Sequence, residues 1–297
     1  SAGEFPTDRY VLQGLAEARG LELRLVEPDP DEGMTLDRLI AELAAETALV
    51  VISMVDYRSG ALMDMAAVTA AVHEVGALVL WDLSHAVGSV PIDLQGAGAD
   101  LAVGCTYKHL DGGPGAPAFL YVRREHQDRL RNPIQGWFGQ RDQFAMGHPY
   151  DPVEGIGRFQ SGTPPIIALT AVEAAVEVLA RAGIAAIRAK SLALTGLVIA
   201  LHDVWLEPLG FSLATPRGPA LRGGHVALRH ADAYRIDSAL IELADVIPDF
   251  RAPDIIRLAP IAASTRFTEV WDAMDRLRGL VERGEHLELS TERARVT

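Results

Sequence analysis

The sequence predicts an α/β protein, with a large, mostly parallel sheet domain over residues 1–183 and a smaller C-terminal α+β domain over 184–297. Short apolar runs of strand length alternate with amphipathic stretches of helix length through the first two thirds. The remainder mixes both patterns without that alternation, and neither part contains an internal repeat or a low-complexity tract.

In chain order, strands are expected at LELRLVE (21–27), TALVVIS (47–53), ALVLWDL (77–83), LAVGCTY (101–107) and AFLYVRR (118–124). Between them, TLDRLIAELAAE (35–46) and MAAVTAAVHEVG (65–76) have helical spacing, the first with Thr35 as its N-cap. Residues 131–165 are rich in Gly, Pro, Gln and aromatics and show no period, which predicts a long ordered loop of the kind that carries function. Helices are expected at 166–183 and 190–205. Strands at HVALRH (225–230) and IIRLAP (255–260) and a closing helix at 268–284 complete the smaller domain.

Composition excludes several classes of function. With 49% hydrophobic residues and a mean hydropathy of +0.14, the chain can build a sizeable core. Its 27 Lys+Arg against 40 Asp+Glu give a formal charge of −13, which repels nucleic acid and anionic membrane surfaces. The one cysteine, Cys105, rules out an internal disulfide framework and a thiolate metal cluster, and fits a reducing cytoplasm. No leader-like start and no uninterrupted apolar run of about 18 residues is present, so a soluble protein is expected. No HExxH or CxxC spacing occurs, and His202, His225 and His230 are scattered, so no metal site is expected.

In open parallel sheets, ligands lie beyond the carboxyl ends of the strands. Asp82 and Lys108 close two neighbouring predicted strands there. A lysine amine opposite a carboxylate is the pair that pyridoxal-phosphate chemistry requires: the amine to hold the aldehyde, the carboxylate to keep the pyridine nitrogen protonated. The same residues equally allow Asp82 to cap a turn and Lys108 to be a solvated surface lysine. Arg257, in an apolar strand, reads equally as an anion partner or as half of a structural ion pair. Cys105, inside a strand, reads as an inert thiol.

The longer text around these residues resembles the kynureninases, of the class V aminotransferase-like family. FPTDRY (5–10), VDYRSG (55–60), ALVLWDLSHAVGSVPIDL (77–94), AVGCTYKHLDGGPG (102–115), GWFGQ (136–140), SGTPPI (161–166), KSLALTGL (190–197), IIRLAP (255–260) and FTEVWDA (267–273) carry the likeness in the family's order. It implies a fold-type I, pyridoxal-phosphate-dependent transferase-like architecture. It also implies hydrolysis of L-kynurenine or 3-hydroxykynurenine to anthranilate or 3-hydroxyanthranilate and L-alanine. By resemblance, Lys108 would carry the cofactor and act as base, with Asp82 at the pyridine nitrogen and Tyr107 as proton donor. Phe5, Pro6, Thr7, Asp8, Ser53, His85, Trp137 and Thr163 would line the cofactor site, Phe5 by stacking. Arg257 would hold the α-carboxylate of a small-molecule amino-acid substrate, in a cytoplasmic homodimer.

The chain also departs from the family. His109 and Asp111 stand where kynureninases usually have Tyr and Asn, and Ala262, Ala263 and Ser264 replace a Pro-Leu-Tyr run. The likeness begins at FPTD, so the family's N-terminal third has no counterpart here, including a helix start that cups the cofactor phosphate. Two rivals remain: another class V enzyme such as a cysteine desulfurase, which needs a nucleophilic cysteine on a mobile loop, and a non-catalytic homologue acting as a scaffold.

Overall fold

The computed structural model describes residues 1–29 and 31–292; the remaining residues of the expected 184–297 domain, 293–297, lie outside the described residues. The chain opens on α1 (Pro6–Arg19), where Pro6 occupies the first turn, Asp8 lies at the positive end of the helix and Gly20 closes it in left-handed backbone. None of its residues is fully buried, so no core-facing period announced it. Residues 21–27, expected as a strand, are not one. The Ala2 amide donates to the Val26 carbonyl at 2.8 Å, but no described strand runs beside the segment, and Leu21 and Leu25 remain exposed. Apolar content without a pairing partner does not make a strand.

Helix α2 (Leu36–Glu42) begins at Thr35, whose Oγ1 accepts from the Arg38 amide at 3.4 Å, and ends four residues before the expected 46. Strand β1 (Leu49–Ser53) leads to α3 (Met65–Glu74), capped by Asp64, whose carboxylate accepts from the Ala67 amide at 3.0 Å. Strands β2 (Leu78–Asp82), β3 (Leu101–Cys105) and β4 (Ala118–Val122) complete a sheet of order β1-β2-β3-β4. The first three are parallel and β4 runs antiparallel to β3, so the expected mostly parallel sheet forms. Val68, Val72, Val79 and Trp81 fill the core between α3 and the sheet, and the Trp81 Nε1–H donates to Thr69 Oγ1 at 3.3 Å.

A short α4 (Arg124–Gln127) precedes the irregular stretch at 131–165, which contains only three 3-10 turns. Helices α5 (Ile166–Ala182) and α6 (Ile184–Leu201) meet at Gly183, so the helix expected at 190–205 begins six residues earlier and ends in a π turn at His202–Leu206. The second sheet is antiparallel, of order β5-β6-β8-β7, built from β5 (Ser212–Leu213), β6 (Val226–Arg229), β7 (Asp249–Arg251) and β8 (Ile255–Leu258). Against it pack α6, α7 (Ala233–Ala244) and α8 (Phe267–Glu282) around Leu194, Leu228, Ile236 and Met274. The run Ile184–Leu209 is, by length and composition, long and apolar enough to cross a membrane. Here Leu194, Val198 and Ile199 give it a place in this core instead.

The loop at 56–62 ties the sheets together. The Gly223 amide donates to the Gly60 carbonyl at 2.7 Å, Thr215 Oγ1 donates to the Ser59 carbonyl at 2.6 Å, and Arg58 Nη2 donates to the Ala252 carbonyl at 2.7 Å. Gly60 has φ +75°, and a Cβ there would sit 2.8 Å from the His225 carbonyl, so only glycine fits.

Candidate active site

Parallel register places Ser53 beside Asp82 at the carboxyl ends of β1 and β2, and Lys108 follows the end of β3. The segment after β3 turns back on itself: the Gly112 amide donates to the Thr106 carbonyl at 2.9 Å and Asp111 adopts φ +54°. This turn docks against the segment after β2. A Cβ at Gly88 would lie 2.4 Å from the His109 carbonyl, so the approach depends on glycine.

Lys108 is therefore no surface lysine. Its Nζ lies 3.1 Å from His85 Nε2, and burial, its largest perturbation, lowers its pKa. Burial likewise pushes the His85 imidazole well below its ordinary pKa, so a neutral ring faces the amine and can accept its N–H. Two further imidazoles surround His85: His225 with ring centres 5.3 Å apart and His109 at 6.5 Å. Burial holds both below the usual histidine range, His109 at about 4. His225 is fully buried, and among the described residues neither of its ring nitrogens has a hydrogen-bond partner.

Opposite stand two carboxyl groups. Asp8 is pushed up to about 7, first by burial and then by the Asp82 charge and a side-chain hydrogen bond with Asp82. The capping reading of Asp82 also holds, since its Oδ1 accepts from the Ser84 amide at 2.6 Å. Lys108 feels Asp82 and Arg257 electrostatically. Arg257 is buried, and the ion-pair reading is realised: Asp249 accepts from its Nη2 and Nε, and the Tyr57 carbonyl accepts from its Nη1.

Other expected residues are placed differently. Phe5, the N-cap residue of α1, is 43% exposed and meets Tyr57 edge-on at 5.5 Å; Pro6 and Thr7 follow it in the first turn. Ser53 donates to buried Glu4, a carboxyl group that burial raises. Tyr107 is exposed, and burial of its ring environment still raises its phenol, which keeps it a proton donor. Trp137 packs edge-on against Phe138 and Phe144 within its own loop, and Thr163 is exposed on the same stretch. The Cys105 Sγ lies 3.8 Å from the Ser84 carbonyl, at the end of a strand and not on a loop.

Sequence reasoning missed Glu4, Tyr57, His225, Asp249 and Arg251. Tyr57 lies in the VDYRSG segment and His225 opens the run HVALRH, but neither context points to this site.

The donor set fits the ring and aldehyde ends of a pyridoxal phosphate. Among the described residues the Oδ2 atom of Asp8 is buried without a hydrogen-bond partner, and beside Asp82 it could accept from a pyridinium N–H. The amine with the lowered pKa is Lys108, one of only two lysines in the sequence. The other, Lys190, lies on α6 near Glu269.

The family "Aminotransferase class-V" matches residues 2–202, and "Kynureninase C-terminal domain" matches 187–277. A kynureninase of Pseudomonas fluorescens is 44% identical over 94% of this chain, and one of Burkholderia mallei is 44% identical over 94%. The chain spans 66% and 65% of the lengths of these relatives. An apo structure of a cysteine desulfurase from Thermococcus onnurineus NA1 superposes with a TM-score of 0.83 at 19% identity, covering 95% of this chain and 72% of that one. At that identity the likeness is one of fold.

Proposed function

The chain belongs to the class-V aminotransferase family, and from that premise we propose that it is the catalytic part of a pyridoxal-phosphate enzyme that hydrolyses L-kynurenine or 3-hydroxykynurenine to anthranilate or 3-hydroxyanthranilate and L-alanine. The observation that carries the reading is the half-buried Lys108 amine, 3.1 Å from a neutral His85 and in electrostatic range of Asp8, Asp82 and Arg257. Residues 1–183 would form the cofactor domain and 184–297 the smaller domain that brings Arg257 to it.

Bound there, the cofactor supplies an electron sink conjugated to the substrate α-carbon. Lys108 would hold its aldehyde end, Asp82 and Asp8 its ring nitrogen, and Phe5 one ring face. Once released, the Lys108 amine is a suitable base for the α-proton, because its lowered pKa leaves more of it neutral near pH 7. With its proton on Nδ1, His85 accepts from that amine at Nε2, 3.1 Å away, and would fix its lone-pair direction. The Tyr107 phenol donates a proton, and Arg257 orients the α-carboxylate.

The functional molecule is read as a cytoplasmic homodimer. The apolar faces of α1 (Tyr10, Val11, Leu15) and α5 (Ile166, Ile167, Val178) are exposed, Ile167 by 90%, and favour a covering layer. The test is turnover. With cofactor and kynurenine, the protein should release anthranilate, read by its fluorescence, together with one equivalent of alanine. Alanine from another amino acid with no anthranilate from kynurenine would assign the site to a different class V reaction.

A further inference from the structure

We infer that Asp249 is a positioning residue for carboxylate recognition, one that pins the Arg257 guanidinium so that a single edge is left for an incoming amino-acid carboxylate. This rests on the reading of Arg257 as the carboxylate's partner.

Asp249 and Arg257 face each other in register across β7 and β8. The Asp249 Oδ2 accepts from Arg257 Nη2 and, at 3.2 Å, from Nε, which occupies the Nε/Nη2 edge. The Tyr57 carbonyl accepts from Nη1 on the other side. A guanidinium held on two sides is fixed in orientation, and one hydrogen on each of Nη1 and Nη2 is left for a carboxylate. The loop that supplies Tyr57 is itself fastened to the β7–β8 turn, where Arg58 Nη2 donates to the Ala252 carbonyl at 2.7 Å.

Charge points the same way. Asp249 Oδ2 also accepts from Arg251 Nη2 at 3.3 Å, so one carboxylate serves two arginines. The nearby Asp237 carboxyl group is raised to about 6, first by burial and then by the Asp249 charge. Among the described carboxylates Asp249 alone contacts the two guanidinium groups, so the three together carry one net positive charge that a substrate carboxylate can meet. Arg257 pairs with Ala227 on β6, two residues from His225, whose ring centre lies 5.3 Å from that of His85 beside Lys108.

The test uses the cofactor-loaded enzyme and Asp249→Asn, Asp249→Glu and Arg257→Ala. Measured are kcat and KM for kynurenine, and inhibition constants for L-alanine and for alaninamide, which lacks the carboxylate. Asp249→Asn should raise KM and the alanine constant by about tenfold, the worth of one hydrogen bond to a charged group. It should leave kcat and the alaninamide constant within about twofold. Asp249→Glu, which keeps the charge but displaces the anchor, should give a smaller rise of the same kind, and it carries the test if Asp249→Asn fails to fold. An unchanged or lower alanine constant in the Asp249 variants, with Arg257→Ala still weakened, overturns the positioning role and leaves the reading of Arg257 standing. If Arg257→Ala keeps full discrimination between alanine and alaninamide, the reading of Arg257 itself falls.

Discussion

Replacing His109 by Phe should flatten the dependence of stability on pH between about 6.5 and 4. The His109 side chain is buried, and burial first, then the charges of Lys108 and Arg257, lower its pKa from 6.5 to about 4. Unfolded, it takes up a proton below about 6.5; folded, it resists until about 4. Its contribution is whole above the unfolded value, is lost as pH falls through the window, and is constant below about 4. The gap from 6.5 to about 4, at about 1.36 kcal/mol per unit, amounts to about 3 kcal/mol. That is a large share of a typical folding free energy of about 5–15 kcal/mol.

His85 and His225 act in the same direction. Asp8 and Asp237 act in the opposite one, because carboxyl groups raised to about 7 and about 6 bind protons more readily in the folded state. The quantity to read is therefore the stability difference between parent and variant, from urea unfolding at stepped pH. The parent's advantage should shrink by about 3 kcal/mol from pH 7 to pH 4. A difference that does not vary with pH would refute the assignment of a buried neutral His109.

Other outcomes follow from single contacts. Asp82→Asn should lower kcat by about 10²–10³, the usual loss on removing a preorganised electrostatic partner, while cofactor retention by absorbance changes little; near-normal turnover would remove Asp82 from the site. Trp81→Ala, at a position with no exposed surface, should cost about 3–5 kcal/mol in urea unfolding, and a loss under about 1 would mean that the first core is not closed as described. Thr35→Ala should cost about 1 kcal/mol through the lost N-cap, with Thr35→Ser close to neutral by the same measurement.

Much of this architecture was legible in the sequence because burial imposes a period. Strands β1 to β4 and helices α3 and α8 each carry an apolar run or face, and each formed within a few residues of its expected place, as did α5 although Leu179 is its one buried residue. Elsewhere the reading failed. Helix α1 buries no residue fully and was not seen, whereas 21–27 is apolar but has no partner strand among the described residues and was wrongly read as one. Strands β5 and β7 are two and three residues long, too short to show alternation. At the site, Asp82, His85 and Lys108 were legible from strand ends and motifs, and the structure brings them together. His225 and Asp249 were not, because they reach the site from the second sheet across contacts that no local pattern encodes. Trp137 and Thr163 were named from motifs alone, and their contacts stay within the 131–165 stretch and its surface.

The central claim is that Lys108 holds the cofactor. Borohydride reduction of the cofactor-loaded protein followed by peptide mapping tests it with little ambiguity, because Lys190 is the one other lysine. The site described here predicts a pyridoxyl group on the peptide containing Lys108, and its loss together with the visible absorbance in Lys108→Ala. A label on Lys190, or stable visible absorbance in Lys108→Ala, would contradict it.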